Sequence, residues 1–492
     1  MPIRNLEPKN VWNNFYSLTR IPRPSGHTKK AADFLLKFGK DLGLESFKDE
    51  IGNVIIRKGA TPGMEDRKGI VLQAHMDMVP QKNNDKVHDF TTDPVETRIV
   101  KEDDGEWVYA CGTTLGADDG LGIAAAMSVL ESDTIKHGPI EALFTVDEET
   151  GMYGAQALKP DTMKGEILLN LDSETEGELY VGCAGGLDAV AQFKYKEENL
   201  PAGYKALKIN VTGLRGGHSG MEIGEGRGNA NKTLARVVLP ILRSYKGRLA
   251  SFDGGNMRNA IPREAQAVVA VPADKIADVK ALVSQTCTTM QSELARIDPG
   301  LVITCEDSSC KKVIAGASGL KLIKAIYACP CNVDRMSLEM EGLVETSNNL
   351  AIVKTEKGVA TVITLLRRAT DSLKLDLAES VRAAFELAGA KVRFEGGYSG
   401  WSPNLESPIL KTMKEQYLKL FGSEPAVMAI HAGLECGIFG AAYPRWDMIS
   451  CGPTLKSPHS PAERCFVPSV GKWWKFIVAV LENAPKTTPA KR

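Results

Sequence analysis

The chain has no uninterrupted apolar stretch near the roughly 20 residues needed to cross a bilayer, so a membrane-spanning protein is not expected. Charge of one sign is missing too. Sixty Lys and Arg stand against 61 Asp and Glu, a formal net charge of -1, with no strongly basic or acidic block. That excludes nucleic acid or an anionic membrane as the main partner. The opening segment, MPIRNLEPKNVWNNF, lacks the basic-then-apolar design of a secretory signal. Cysteine is sparse, ten in 492 residues, and scattered apart from Cys305/Cys310 and Cys329/Cys331. Those spacings suit a four-cysteine zinc site poorly, so the thiols are read as reduced and the protein as cytoplasmic. No GxxxxGK[ST] pattern accompanies the glycine-rich VGCAGG, which argues against a phosphate-binding loop.

What is present is length and pattern. A chain of 492 residues exceeds one ordinary core, so two or three domains are expected. The stretch from Pro8 to Leu44 reads as helical, with IPRPSGH as a turn that starts a new helix at Thr28. Apolar strands follow in IGNVIIRKG, KGIVLQAHMDMV, PIEALFTVDEETG and GEILLNLDSE, and AAAMSVLES reads as a helix. Strands alternating with helices indicate an α/β domain with a mainly parallel sheet. In such sheets functional residues gather beyond the carboxyl ends of the strands, and three of these strands end in HMD, DEE and LDSE. From about Asp188 to Ala390 the pattern changes to long helices and strands suggesting a duplicated α+β unit. We expect that unit, 187–397, to be an insertion in a first domain formed by 1–186 and 398–492. The tail KTTPAKR is expected to be disordered.

Five residues stand out as a set: His75, Asp118, Glu149, Asp172 and His459. Two imidazoles and three carboxylates, one of them bridging, make the inventory for two divalent metals. Nitrogen and oxygen donors without thiolate suit Zn, Co or Mn and leave positions open for water. Asp77, two residues past His75, can hold that imidazole in the ligating tautomer. Glu148 can move a proton to and from a water. Singly, each has an ordinary reading. His75 can be a core histidine, Asp118 or Asp119 an N-cap, Glu148 and Glu149 a solvated strand end, and His459 a loop residue.

The succession HMDMVPQ, GTTLGADDG, DEETGM, NLDSE, GGHSG, NAIPREA, IHAGLECG and SPHSPAE resembles the M20 di-zinc metallopeptidases. Within that family it is most similar to the aminoacylhistidine dipeptidase (Xaa-His dipeptidase) branch, from PRPSGH to the C-terminal helix. The resemblance implies an α/β catalytic domain with an inserted α+β lid and dimerisation domain, two divalent ions, most often Zn2+, and a homodimer. It implies metal ligands His75, Asp118 (bridging), Glu149, Asp172 and His459, with Asp77 as orienting carboxylate and Glu148 as general base. Where relatives often carry Asn, this chain has Asp119. For the lid it implies His218 at the reacting carbonyl or substrate end, Asn259 at the substrate, and an arginine for the substrate's carboxylate. That arginine is Arg367 by position, with Arg368 beside it in LLRRATDS as the competing assignment. His431 and Glu435 are implied near the cleft, and His27, His88 and His137 have no role. The activity implied is hydrolysis of unblocked dipeptides, Xaa-His such as carnosine among them, by a water shared between the ions. A related N-acyl amino acid deacylase and a catalytically silent scaffold are the rival readings.

Overall fold

A computed structural model describes residues 2–487. By its internal contacts the chain divides into two units, one of 1–182, 403–429 and 434–492, the other of 183–402 and 430–433. No helix among the described residues is long and apolar enough to cross a membrane.

The first unit is built on an eight-stranded mixed sheet. Its order is Glu45–Lys48, Val54–Lys58, Ile140–Thr145, Ile70–His75, Ile167–Asn170, Asp447–Ser450, Glu178–Cys183 and Ala426–Ile430. The centre is parallel: Ile70–His75 runs parallel to both Ile140–Thr145 and Ile167–Asn170, and the latter to Asp447–Ser450. The strands outside that centre join it antiparallel at Val54–Lys58 and at Tyr180. The sheet expected to be mainly parallel is therefore a parallel centre flanked by antiparallel pairings. The continuous apolar run of the His75 strand is explained by burial at all six positions, as in Ile140–Thr145. Replacing Leu72, fully buried there, with Ala would cost about 2–5 kcal/mol.

The helix Ala117–Glu131 is buried along nearly its whole length, as a helix apolar on every side must be. It packs against the His75 strand and against the helix Lys9–Thr19. The turn at IPRPSGH is followed by the helix Lys29–Asp41. The expected disorder of the tail is corrected at its start. Lys486 pairs with Asp66 at 2.8 Å and the Thr487 N–H donates to the Asp66 carbonyl at 2.8 Å, which anchors both residues. The rest of that tail, 488–492, lies outside the described residues.

The second unit is a nine-stranded sheet whose pairings are antiparallel. One hydrophobic cluster joins it to the helices Ala230–Ser244, Ile276–Leu294, Ser318–Ala328 and Asp371–Glu386. The unit starts at Cys183, because Cys183 and Trp401 exchange backbone hydrogen bonds at 2.9 Å. It takes in 430–433 because the Ala184 N–H donates to the carbonyls of Ile430 and Ala432, both at 3.0 Å. His431 thus belongs to this unit rather than to the one formed by the rest of the C-terminal segment.

Candidate metal centre

Three adjacent parallel strands, Ile140–Thr145, Ile70–His75 and Ile167–Asn170, deliver Glu148 and Glu149, His75 and Asp172 to one edge of the sheet. Beneath that edge lies a buried polar network. The Gln73 amide donates to Glu435 at 2.6 Å, the Thr145 hydroxyl donates to the same oxygen at 2.9 Å, and Asn170 donates to Gln73 at 2.6 Å. Gln73 points the same way as His75, two residues on, so the network fixes the strand that aims the imidazole.

His75 is 1% exposed. Its Nδ1 backs onto Asp77, 3.1 Å from the carbonyl and 3.4 Å from Oδ1, and its Nε2 is presented outward. Nε2 lies 2.9 Å from Asp118 Oδ1 and 3.3 Å from Asp172 Oδ1. His459 Nε2 lies 3.1 Å from Asp118 Oδ2 and 3.0 Å from Glu149 Oε2. The two oxygens of Asp118 therefore face two different imidazoles. Donor atoms close enough to share an ion form the groups His75, Asp118, Asp172 and Asp118, Glu149, His459, which have Asp118 in common, and His75, Glu148, Glu149. Glu149 Oε1 is buried without a hydrogen-bond partner. An orphaned carboxylate oxygen in an all-nitrogen-and-oxygen donor set fits a hard or borderline divalent cation. None of the cysteines joins these groups among the described residues.

Asp118 and its neighbour separate cleanly. Asp119 folds back to accept the Gly122 N–H at 3.1 Å, while Asp118 turns to the imidazoles. Both have non-helical backbone angles at a kink, and the regular helix runs on from there: Asp119, which takes the Gly122 N–H, is its N-cap, and Asp118 is not. Glu148 and Glu149 open a single helical turn after Asp147, whose φ of 52° reverses the chain out of the strand. This turn lets adjacent carboxylates face one site.

The electrostatics report crowded negative charge. Burial alone would lower the His75 pKa, but Asp172, Asp118 and Asp77 outweigh it and hold the imidazole well above its usual range. Hydrogen bonds to Asp118 and Glu149 carry His459 up to about 11. Burial pushes Asp172 up to about 7 and, with Asp118 adding to it, Glu174 to about 7. Burial also raises Glu148 well above the carboxylate range, with His75 opposing and Asp172, Glu435 and Glu149 adding to the rise. So many carboxylates cannot all ionise together without a cation.

The second unit holds its own cluster. Gly217–His218 pairs with Ala260–Ile261, which sets Asn259, exposed, beside Ser219, whose N–H donates to the Asn259 carbonyl at 2.8 Å. His218 Nδ1 accepts the N–H groups of Gly220 and Met221 at 3.3 and 3.1 Å, so the neutral ring carries its proton on Nε2. That Nε2 lies 3.4 Å from an Arg367 Nη. Arg367 also donates to Ser219 at 3.3 Å and to the Tyr398 hydroxyl at 3.1 Å. It is 4% exposed and has no ion-pair partner among the described residues. Arg368 is different: it pairs with Glu345 at 2.9 Å and donates to Thr346 at 2.5 Å. His431 is buried with Nε2 at 2.7 Å from the Ser347 hydroxyl.

Sequence reasoning did not single out Arg23, Ser25, Gln73, Thr145, Glu463, Ser347 or Tyr398. The first two lie in PRPSGH and Glu463 ends SPHSPAE, so a signal for those three was in hand. The others carry none. His137 turns its Nδ1 to the Gly138 carbonyl at 2.7 Å and His88 packs edge-on against Phe90, so both are held structurally.

A family model described as Peptidase family M20/M25/M40 matches residues 71–483. The cytosol non-specific dipeptidase of Escherichia coli (strain K12) is 43% identical over 484 residues, covering 98% of this chain and 99% of that protein. The crystal structure of aminoacylhistidine dipeptidase from Vibrio alginolyticus superposes with a TM-score of 0.92 at 44% identity, covering 99% of both chains. Aminopeptidase PepT from Bacillus cereus, at 17% identity, TM-score 0.56, and 97% and 98% coverage, shares the fold.

Proposed function

The chain belongs to the peptidase family M20/M25/M40, and on that premise we propose that it is a metal-dependent dipeptidase cleaving the peptide bond of unblocked dipeptides. The observation that carries the reading is Asp118, whose two oxygens each meet one imidazole, at 2.9 and 3.1 Å. One group of donors, His75, Asp118 and Asp172, and another, Asp118, Glu149 and His459, would hold two divalent ions, Zn2+ first and Mn2+ or Co2+ as alternatives. When bound, the ions supply a Lewis acid for the scissile carbonyl and lower the pKa of a water at neutral pH.

Glu148 accepts the proton of the attacking water and returns it to the departing amine. Its place in one group with His75 and Glu149 suits a side chain that must both take and give a proton at the centre. Asp77 orients His75 from behind and fixes the backbone at Glu148. Arg367, a buried cation without a carboxylate partner, reads the substrate's free carboxylate, with His218 Nε2–H as a second donor. Arg368 is already neutralised by Glu345, which supports the choice between them. His431 and Asn259 assist at the substrate. The similarity to enzymes named for dipeptides favours this reading over an N-acyl amino acid deacylase. The lid and dimerisation roles of the second unit, a homodimer and a cytoplasmic location belong to the same proposal.

The test is a panel of dipeptides, β-alanyl-histidine included, against N-acetyl amino acids. The enzyme is stripped of metal and reloaded with Zn2+, Mn2+ or Co2+ in turn. Faster turnover of the acetylated compounds would overturn the reading.

A further inference from the structure

The loop that brings Asp118 to the centre, Leu115 to Asp118, is gripped from two sides by buried charges. Glu463 is 2% exposed. One of its oxygens accepts the N–H groups of Leu115 at 2.7 Å and Gly116 at 3.0 Å. The other accepts those of Ala117 at 2.8 Å and Asp118 at 3.4 Å. One carboxylate thus takes up four successive amides of the turn that leads into the helix, ahead of the kink at Asp118 and Asp119. Arg23, also 2% exposed, takes the opposite polarity. Its guanidinium donates to the Gly116 carbonyl, and to the carbonyls of Met76 and Asp77, both at 3.0 Å.

These contacts tie three candidate ligand segments together. Glu463 lies four residues past His459, so it joins the His459 loop to the Asp118 loop. Arg23 joins the Asp118 loop to the strand end carrying His75 and Asp77. Its neighbours extend the brace. The Ser25 hydroxyl donates to Asp77 Oδ2 at 2.7 Å, and the Gly26 N–H donates to Asp147, which precedes Glu148, at 2.6 Å. The space for the guanidinium comes from two glycines of GTTLGADDG: a Cβ at Gly116 or Gly120 would stand 2.7 or 2.6 Å from Arg23 Nη2.

We propose that Arg23 and Glu463 are positioning residues that set metal affinity by locking the peptide groups of Leu115–Asp118, and so the direction of the Asp118 carboxylate. The inference rests on the metal-centre reading given above. Neither residue touches substrate or ion; both act through the backbone that carries ligands. Because the ligands come from separated stretches of chain, no ligand can hold its own place. A fixed set of peptide groups between two opposite buried charges supplies the shared frame.

The test uses the full-length chain, stripped of metal and titrated with Zn2+ against a chromophoric chelator, and separately with Co2+ while its visible absorption is recorded. The variants are Arg23→Lys, Glu463→Gln and Gly120→Ala, with Ile477→Ala, a buried position of the helix Val467–Glu482, as a control for destabilisation alone. Wild type is expected to bind two ions. Arg23→Lys and Glu463→Gln are expected to weaken Zn2+ binding about 10- to 100-fold and to shift the Co2+ bands. Ile477→Ala is expected to melt earlier yet bind as wild type. If a charge variant fails to fold, Gly120→Ala, which displaces the guanidinium without removing it, must show the same loss. Wild-type affinity and unchanged Co2+ bands in the folded variants overturn the inference, as does an equal loss of affinity in Ile477→Ala. A wild-type chain that binds no metal overturns the metal-centre reading itself.

Discussion

The carboxylate of Asp77 accepts the backbone N–H of Glu148 at 3.0 Å, across 71 residues of chain. The same carboxylate lies 3.4 Å from His75 Nδ1 and accepts the Glu149 N–H at 3.3 Å. One buried side chain therefore fixes the tautomer of an imidazole and the position of the turn bearing two carboxylates. Asp77→Ala should weaken metal binding about 10- to 100-fold and leave the Glu148 amide without its acceptor, at about 1–3 kcal/mol where buried. Metal titration together with thermal melting of the metal-free variant checks both effects. A variant that loses stability but keeps full affinity would refute the orienting role.

Glu148 should be separable from metal binding. In Glu148→Gln the side chain keeps its size but cannot accept the proton. Turnover of a dipeptide should fall about 10²- to 10⁴-fold, while metal content, measured by elemental analysis after dialysis, stays at the wild-type level. Near-complete retention of kcat would remove Glu148 from the role of base.

The two adjacent arginines give a direct contrast. They point to opposite faces of the strand Val359–Arg368 and meet different neighbours. Arg367→Lys should lower kcat/KM for dipeptides about 10- to 100-fold, the worth of a charge-assisted hydrogen bond of about 1.5–3 kcal/mol, mainly through KM. Arg368→Lys breaks the fork to Glu345 and Thr346; it should cost stability with little change in KM. Steady-state kinetics of the pair decides it, and a larger KM effect at position 368 would reverse the assignment.

The first unit's logic was legible because it is local. An apolar strand ending in His75 and Asp77 displays its own period, and three such ends imply convergence once the strands are parallel and adjacent. What stayed hidden depends on contacts between distant segments. Nothing in GTTLGADDG tells which acid faces the imidazoles; the difference is that Asp119 is taken up by the Gly122 amide. Arg23 and Glu463 bind peptide groups, which carry no side-chain signature in the sequence. The antiparallel pairings of the sheet were missed because a buried strand shows the same apolar run whichever way its neighbour points. His431 looked like part of the C-terminal segment because its unit reclaims only 430–433 there.

Acid should weaken the second unit through its histidines. Burial, helped by Arg367, lowers His431 to about 3 and His218 to about 4. In the unfolded chain both would titrate near 6.5. As pH falls below that value the unfolded form takes up protons that the folded form refuses, so stability is full above about pH 6.5 and declines towards pH 4. For a fully buried group the slope is about 1.4 kcal/mol per pH unit. His218 is more exposed and contributes less. Urea unfolding of the metal-free protein at several pH values measures the decline. His431→Gln, which keeps a polar partner for the Ser347 hydroxyl at this buried site, removes the titrating group and should flatten the curve. An equally steep curve in that variant would place the acid sensitivity elsewhere. At neutral pH both rings are then uncharged, so within the cluster of His218, His431 and Arg367 the positive charge is that of Arg367. That is why position 367, rather than either histidine, should govern affinity for a carboxylate.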